Sequence, residues 1–222
     1  MEVYPGIHQI QRTSNSYLVV DEDIMLVDTG MPGNSSKIID YMQNTLKRDL
    51  HDIKTIVLTH HHLDHVGSVG KLKKITGASV AAHKLDAVYI NGTKSRPGPF
   101  LLRTATNIMK VVSRTKSVQP DILLKNGDII KGYHVIHTPG HTPGSICLYN
   151  PENKVIFVGD NLRQSKDGKI EGPVSKFTPD MDLAEDSIKK LGHLDIEVIL
   201  TGHSSPVTCD ASSKLKEYLK TI

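Results

Sequence analysis

Thr59-His60-His61-His62-Leu63-Asp64-His65 follows the apolar run Ile53-Lys54-Thr55-Ile56-Val57-Leu58, and the rest of the chain is read outward from it. Where a strand runs on into an extended loop, successive side chains point to opposite sides. His60 and His62 are therefore expected to face one way and His61 the other, so that two imidazoles meet one metal ion. Asp64 and His65 come where the chain turns into a helix predicted over 68–76. They are placed to serve a neighbouring position about 3.5–4 Å from the first, the usual separation in two-metal hydrolytic sites. Nitrogen and carboxylate donors without thiolates suit zinc first, with iron or manganese as alternatives. The competing reading is a solvated loop or a helix cap with spare imidazoles.

Four other apolar runs decide between these readings. IMLVDTG ends at Asp28, VIHTPGH at His141, VIFVGD at Asp160 and VILTGH at His203. In open α/β sheets, binding crevices lie beyond the carboxyl ends of the strands, so residues far apart in sequence converge there. Ligand-type residues after five strands favour one polynuclear site, completed by His141, Asp160 and His203. Strands are predicted over 17–20, 24–28, 53–58, 79–82, 133–137, 145–149, 155–158 and 197–200, and helices over 35–46, 68–76, 100–112, 183–191 and 212–219. Short polar turns suggest hairpins joining Val20 to Ile24 and Tyr149 to Val155. The alternation of strands and helices indicates a layered α/β protein.

Composition agrees. The chain has 222 residues, 38% hydrophobic and 23% charged, with no apolar stretch long enough to span a membrane. Twelve histidines beside three phenylalanines and no tryptophan favour metal ligation or proton transfer, and a net charge of +3 is too small to imply nucleic acid. Residues 1–11 carry neither a basic leader nor an apolar signal core, so the expected location is cytoplasmic. Cys147 and Cys209 cannot make a disulfide framework or a four-thiolate site, and both are expected to pack. His8, His51, His61, His83, His134, His137 and His193 are assigned to the surface, to caps or to support of the site. Ser145, Ser204 and Ser205 lie near the ligands, but no Gly-x-Ser-x-Gly elbow accompanies them, which argues against a serine nucleophile.

With these residues in view, the sequence resembles the metallo-β-lactamase-fold hydrolase superfamily. His60-x-His62-x-Asp64-His65 matches that family's HxHxDH signature, and Gly140-His141, Gly159-Asp160 and Gly202-His203 follow in its order. The resemblance implies a four-layer αββα sandwich formed by 1–222 as a single domain, with two similarly built halves meeting near 115–120. It implies that His60, His62 and His141 hold one metal, that Asp64, His65 and His203 hold the second, and that Asp160 bridges them. Asp28 would steady the metal loop without being a ligand. Two divalent cations sharing a water bring its pKa to about 7 and polarise the attacked bond, with Asp64 placed to pass a proton to the leaving group.

The expected activity is hydrolysis of a carboxylic ester, lactone or thioester. Alternatives are a thioesterase similar to glyoxalase II, whose loop THHHLDH resembles, a phosphodiesterase, and a single-iron persulfide dioxygenase; a metal-binding module without catalysis is a further one. The 19 residues after His203 are too few for a glutathione-binding helical domain. Asp160 and His65 stand where Cys and Arg would suggest a true β-lactamase. A small-molecule substrate is expected and nucleic acid is not, since no aromatic stacking platform or basic arm is present.

One segment departs from the average. Between Gly92 and Gln119 lie six cations, Lys94, Arg96, Arg103, Lys110, Arg114 and Lys116, and no acid. Leu101, Ala105, Ile108, Met109 and Val112 share one helical face, and Arg103, Lys110 and Arg114 lie on another. This helical insert is read as a solvated amphipathic helix, as a rim whose Arg103, Lys110 and Arg114 attract an anionic substrate, or as a contact with an anionic membrane.

Overall fold

The computed structural model describes residues 1–95 and 117–222. The chain forms two compact units, Met1–Leu123 and Leu124–Ile222. The α/β class is as expected, since each unit is a sheet carrying its own helices.

The first unit is built on a seven-stranded sheet in chain order: β1 (Glu2–Tyr4), β2 (Ile7–Gln11), β3 (Asn15–Val20), β4 (Ile24–Val27), β5 (Ile53–Leu58), β6 (Ser79–His83) and β7 (Ile122–Leu124). Strands β1 to β4 pair antiparallel, and Val20 faces Ile24 across the Asp21-Glu22-Asp23 turn. From β4 the pairing becomes parallel, β4 with β5 and β5 with β6. Parallel neighbours need crossovers, which helices supply. These are α1 (Ser35–Asp40), which widens into a π turn over Tyr41–Thr45, then α2 (Leu63–Val66) and α3 (Val69–Thr76) between β5 and β6. Gly77 ends α3 in the left-handed conformation, at φ 71°, which glycine adopts without a Cβ penalty. Helix α4 (Lys84–Ile90) follows β6 directly.

The core has the period the sequence predicts. Ile24 and Leu26 of β4, Ile56 and Leu58 of β5, and Val80 and Ala82 of β6 pack with Ile38, Met42, Val69 and Leu72 from the helical segments. The parallel direction matters for function, because it brings the residues after β4 and β5, Asp28 and Thr59, to the same edge of the sheet.

The second unit has a five-stranded sheet in the order β14-β11-β10-β9-β8: β8 (Ile129–Ile130), β9 (Tyr133–His137), β10 (Ile146–Asn150), β11 (Val155–Gly159) and β14 (Val198–Thr201). Strand β10 is antiparallel to both β9 and β11, and β14 is parallel to β11. Strands β9, β11 and β14 therefore point the same way, and their three carboxyl ends share one edge. Asn150 pairs with Val155 in the expected hairpin. A two-residue pair, β12 (Arg163–Gln164) with β13 (Ile170–Glu171), and helices α5 (Met181–Lys189) and α6 (Ala211–Leu219) complete the unit. Cys147, Ile156 and Val158 pack with Ile188, Leu191 and Leu215.

The two cysteines part company. Cys147 is a core residue whose thiol burial pushes up to about 12, so it stays protonated and unreactive. Cys209 is exposed, contrary to the expectation that it packs, because it sits in the bend before α6 and not on an apolar face. No helix among the described residues is long and apolar enough to cross a membrane. The helix expected over 100–112, with Arg103, Lys110 and Arg114, lies outside the described residues; Lys94, at the start of the insert, is exposed.

Candidate metal centre

In the first unit, the loop after β5 carries His60, His62, Asp64 and His65. The ligand atoms of His60 and His62 lie within 4.8 Å of each other, as do those of Asp64 and His65. His62 is in extended conformation at the head of α2, with φ −65° and ψ 145°, and its carbonyl accepts the N–H groups of His65 and Val66. The His60 ring packs edge to face on His62, at 4.7 Å between centroids, and tilted at 46° on His65, at 4.1 Å.

Asp28 organises this loop from the end of β4. Its Oδ1 accepts the Thr59 backbone N–H at 2.8 Å, and its Oδ2 accepts the Thr59 hydroxyl at 2.7 Å and faces His65 Nδ1 at 2.7 Å. It does this from a left-handed backbone, φ 57°, where a residue other than glycine is strained. Thr29 adds two bonds to the His65 carbonyl, from its N–H at 2.7 Å and from its hydroxyl at 2.9 Å. The Ser14 hydroxyl donates to the Asp64 carbonyl.

The second unit contributes His141 after β9, Asp160 after β11 and His203 after β14. Asp160 Oδ2 stands 3.4 Å from His141 Nε2 and 3.3 Å from His203 Nε2. His141 is buried, whereas His203 is 38% exposed in its side chain and so faces solvent as well as Asp160. The loop holding His141 is closed by α5: the Asp180 N–H donates to the Gly140 carbonyl at 3.3 Å, and His141 Nδ1 lies 3.1 Å from Thr178 Oγ1.

These bonds determine which imidazole nitrogen carries a proton. The Thr59 hydroxyl has one hydrogen and gives it to the Asp28 carboxylate, so at 3.1 Å from His60 Nδ1 it accepts. Thr178 likewise gives its hydrogen to the Val174 carbonyl at 3.0 Å and accepts from His141 Nδ1. His65 Nδ1 faces a carboxylate, which accepts only. All three histidines thus carry hydrogen on Nδ1 and keep the Nε2 lone pair for a ligand, which is how protein metal sites orient imidazole. Two ligands about 2.1 Å from a tetrahedral ion are about 3.4 Å apart, the spacing found around Asp160. The donor set of imidazoles and carboxylates therefore fits a divalent cation.

His61 turns its ring toward Asp86 and Tyr89 and also packs it edge to face on His62, with centroids 5.2 Å apart. His83 caps α4 by accepting the Leu85 N–H at 3.3 Å. Ser145 ties its own loop, accepting the Thr142 N–H at 3.0 Å, and Ser204 accepts the Gln164 N–H at 2.6 Å. Sequence reasoning did not single out Thr178, Asn161, Ser14 or Asp86. Thr178, Ser14 and Asp86 are lone polar residues distant in sequence from the loop residues they contact. Asn161 alone had a positional signal, next to Asp160; its amide bonds the Val158 carbonyl at 2.9 Å and Thr138 Oγ1 at 3.1 Å, joining the ends of β9 and β11.

A family model for the metallo-β-lactamase superfamily matches residues 10–203. The chain belongs to this superfamily. Among its relatives, the probable metallo-hydrolase YflN of Bacillus subtilis (strain 168) is 28% identical over 93% of this chain and 87% of its own. Hydroxyacylglutathione hydrolase GloC of Haemophilus influenzae (strain Rd) is 26% identical, with 93% of each chain covered. The superfamily fold is also that of TTHA1623, solved in a di-iron-bound form, at a TM-score of 0.71 and 26% identity over 97% of this chain and 99% of that one. The expected fold and family thus both hold.

Proposed function

We propose that this superfamily member is a metal-dependent hydrolase that cleaves an ester-type bond, with a thioester as the leading substrate class. One observation carries the reading: His60, His65 and His141 each have Nδ1 held by an acceptor, so that Nε2 is the ligating atom, beside carboxylates and without a thiolate. Neither unit has enough donors for two ions by itself. We therefore take His60, His62, Asp64 and His65 to share two divalent cations with His141, Asp160 and His203. Asp160 serves both, since its Oδ2 is nearly equidistant from His141 and His203.

When bound, such a pair supplies activated water and polarises the attacked carbonyl. The chain's own residues do the rest. Asp28 and Thr59 fix the loop ligands, Thr178 fixes His141, and Asp64, with a 26% exposed side chain, is the carboxylate placed to receive and deliver a proton. A thioester is favoured because GloC is a hydroxyacylglutathione hydrolase by name, with 93% of each chain covered. Arg103, Lys110 and Arg114 are proposed to attract an anionic part of the substrate. Zinc is the expected metal, and the di-iron form of TTHA1623 makes iron the alternative to test.

The test is metal analysis of purified protein together with rates on matched thioester, lactone, phosphodiester and β-lactam substrates, and oxygen uptake with a persulfide. The expected result is about two zinc or iron ions per chain and the highest kcat/KM on a thioester. Metal-free protein after reconstitution, or turnover that survives alanine at His60, His141 and Asp160, overturns the reading. Replacing Arg103, Lys110 and Arg114 by Gln is expected to raise KM for anionic substrates alone.

A further inference from the structure

The metal reading above leaves Asp86 and His61 without a role, yet they are among the most buried ionisable side chains of the first unit, 1% and 2% exposed. Asp86 Oδ2 accepts the His61 backbone N–H at 2.8 Å and stands 2.9 Å from His61 Nδ1. The ring lies over Tyr89, with centroids 4.4 Å apart and planes 26° from parallel. Asp86 and Tyr89 belong to α4, Asp86 in its first turn, where the helix dipole favours a carboxylate. A carboxylate is expensive to bury, and this one faces both the backbone and the ring of a residue of the metal loop.

That residue lies between His60 and His62. Its ring packs edge to face on that of His62, with centroids 5.2 Å apart, and its backbone joins the two loop histidines directly. Holding residue 61 by its N–H and its ring therefore fixes the backbone between the two flanking histidines and the ring face against which His62 packs. We propose that Asp86 is a positioning residue for metal binding, which through His61 keeps His60 and His62 aimed at one ion. It is not itself a ligand, and the proposal rests on the metal reading above.

The experiment is chelator competition on the reconstituted full chain, alongside thermal unfolding. Asp86→Ala removes both contacts and is expected to weaken metal binding about 10-fold or more, the size of effect seen when supporting residues of metal sites are lost. Asp86→Asn keeps an oxygen for the His61 N–H and is expected to restore most of the affinity. Should Asp86→Ala not fold, Asp86→Leu fills the same volume without an acceptor and carries the same expectation. Asp121→Ala is the control: that carboxylate also accepts a backbone N–H, from Val80 at 2.8 Å, but contacts no residue of the metal loop. It is expected to lower the melting temperature and leave metal affinity unchanged. Wild-type affinity in Asp86→Ala or Asp86→Leu, or equal weakening by the Asp121 control, overturns the positioning role while leaving the metal reading intact. A wild-type chain that takes up no metal overturns both.

Discussion

A single hydroxyl decides which nitrogen of His141 is left for a ligand. Thr178 gives its hydrogen to the Val174 carbonyl, and so His141 must donate to it. Thr178→Val preserves shape and removes the acceptor, leaving His141 free to change tautomer. Metal affinity is expected to fall about 10-fold, with a loss of stability of only about 1 kcal/mol, while Thr178→Ser retains both. Chelator competition and thermal melts measure the two quantities separately, and an unchanged affinity in the valine variant would remove the tautomer argument. Asp28 is the opposite case, a residue whose loss is mainly a loss of fold. It satisfies three buried donors from a strained backbone, so Asp28→Ala is expected to cost about 3 kcal/mol in denaturant unfolding; a cost below about 1 kcal/mol would show that the network is dispensable. Asp28 was legible in the sequence because it ends an apolar run, as the ligands do. Thr178 was not, because a lone threonine 37 residues from its histidine has no periodicity or motif to mark it.

Elements were legible in proportion to their length and apolar character. Strands β4, β5, β6, β9, β10, β11 and β14 all coincide with β-branched runs, and α3, α5 and α6 with helical periods. The pieces left unread are short or polar: β1, the mixed run Ile7–Gln11 of β2, the three-residue β7, the two-residue β8, β12 and β13, the four-residue α2, and α4, which starts without a loop at the end of β6. Most of these are too short for a period to show, while β2 mixes polar residues into its run and α4 has no loop to separate it from β6. Contacts between elements were equally hidden. A Cβ on Gly140 would come within 2.3 Å of the Ala184 backbone nitrogen, and its φ of 130° disfavours any side chain. Gly140→Ala must therefore push the start of α5 off the His141 loop. A loss of at least about 3 kcal/mol is expected from overpacking and backbone strain together, with weakened metal binding; a variant as stable as wild type would mean that the loop and helix are not packed this closely in solution. At Asp121, partial burial pulls the carboxyl up, but the Lys73 ammonium at 2.7 Å and the Val80 N–H outweigh it and hold the group below the ordinary carboxylate range. A carboxyl depressed in the folded state adds stability above its unfolded pKa, near 3.8, and loses it as pH falls further. Asp121→Asn is therefore expected to forfeit this modest contribution at neutral pH, and so to flatten the stability profile below about pH 4, where wild type loses it too.

At the scale of the whole chain, the sequence showed that each half ends several strands in ligand-type residues, and the described structure shows how: parallel β4 and β5 in one unit, and co-directed β9, β11 and β14 in the other. The basic insert could be read only as a charge pattern. The proposed metal pair has a consequence that neither unit could produce alone. If donors from both units hold the proposed ions, the ions bind the folded chain and not the unfolded one, and stabilise it by about 4 kcal/mol at a thousand-fold excess over the dissociation constant. That stabilisation must appear in both units at once. Titrating metal into stripped protein is thus expected to raise hydrogen-exchange protection in parallel at residues 60–66, at 139–142 and at 160–162, with one midpoint, and chelation is expected to reverse all three and lower the melting temperature. Protection confined to residues 60–66 would show that the first loop binds metal by itself. In that case His141, Asp160 and His203 would have to be withdrawn from the site, and with them the two-ion hydrolysis that depends on their carboxylate and imidazoles.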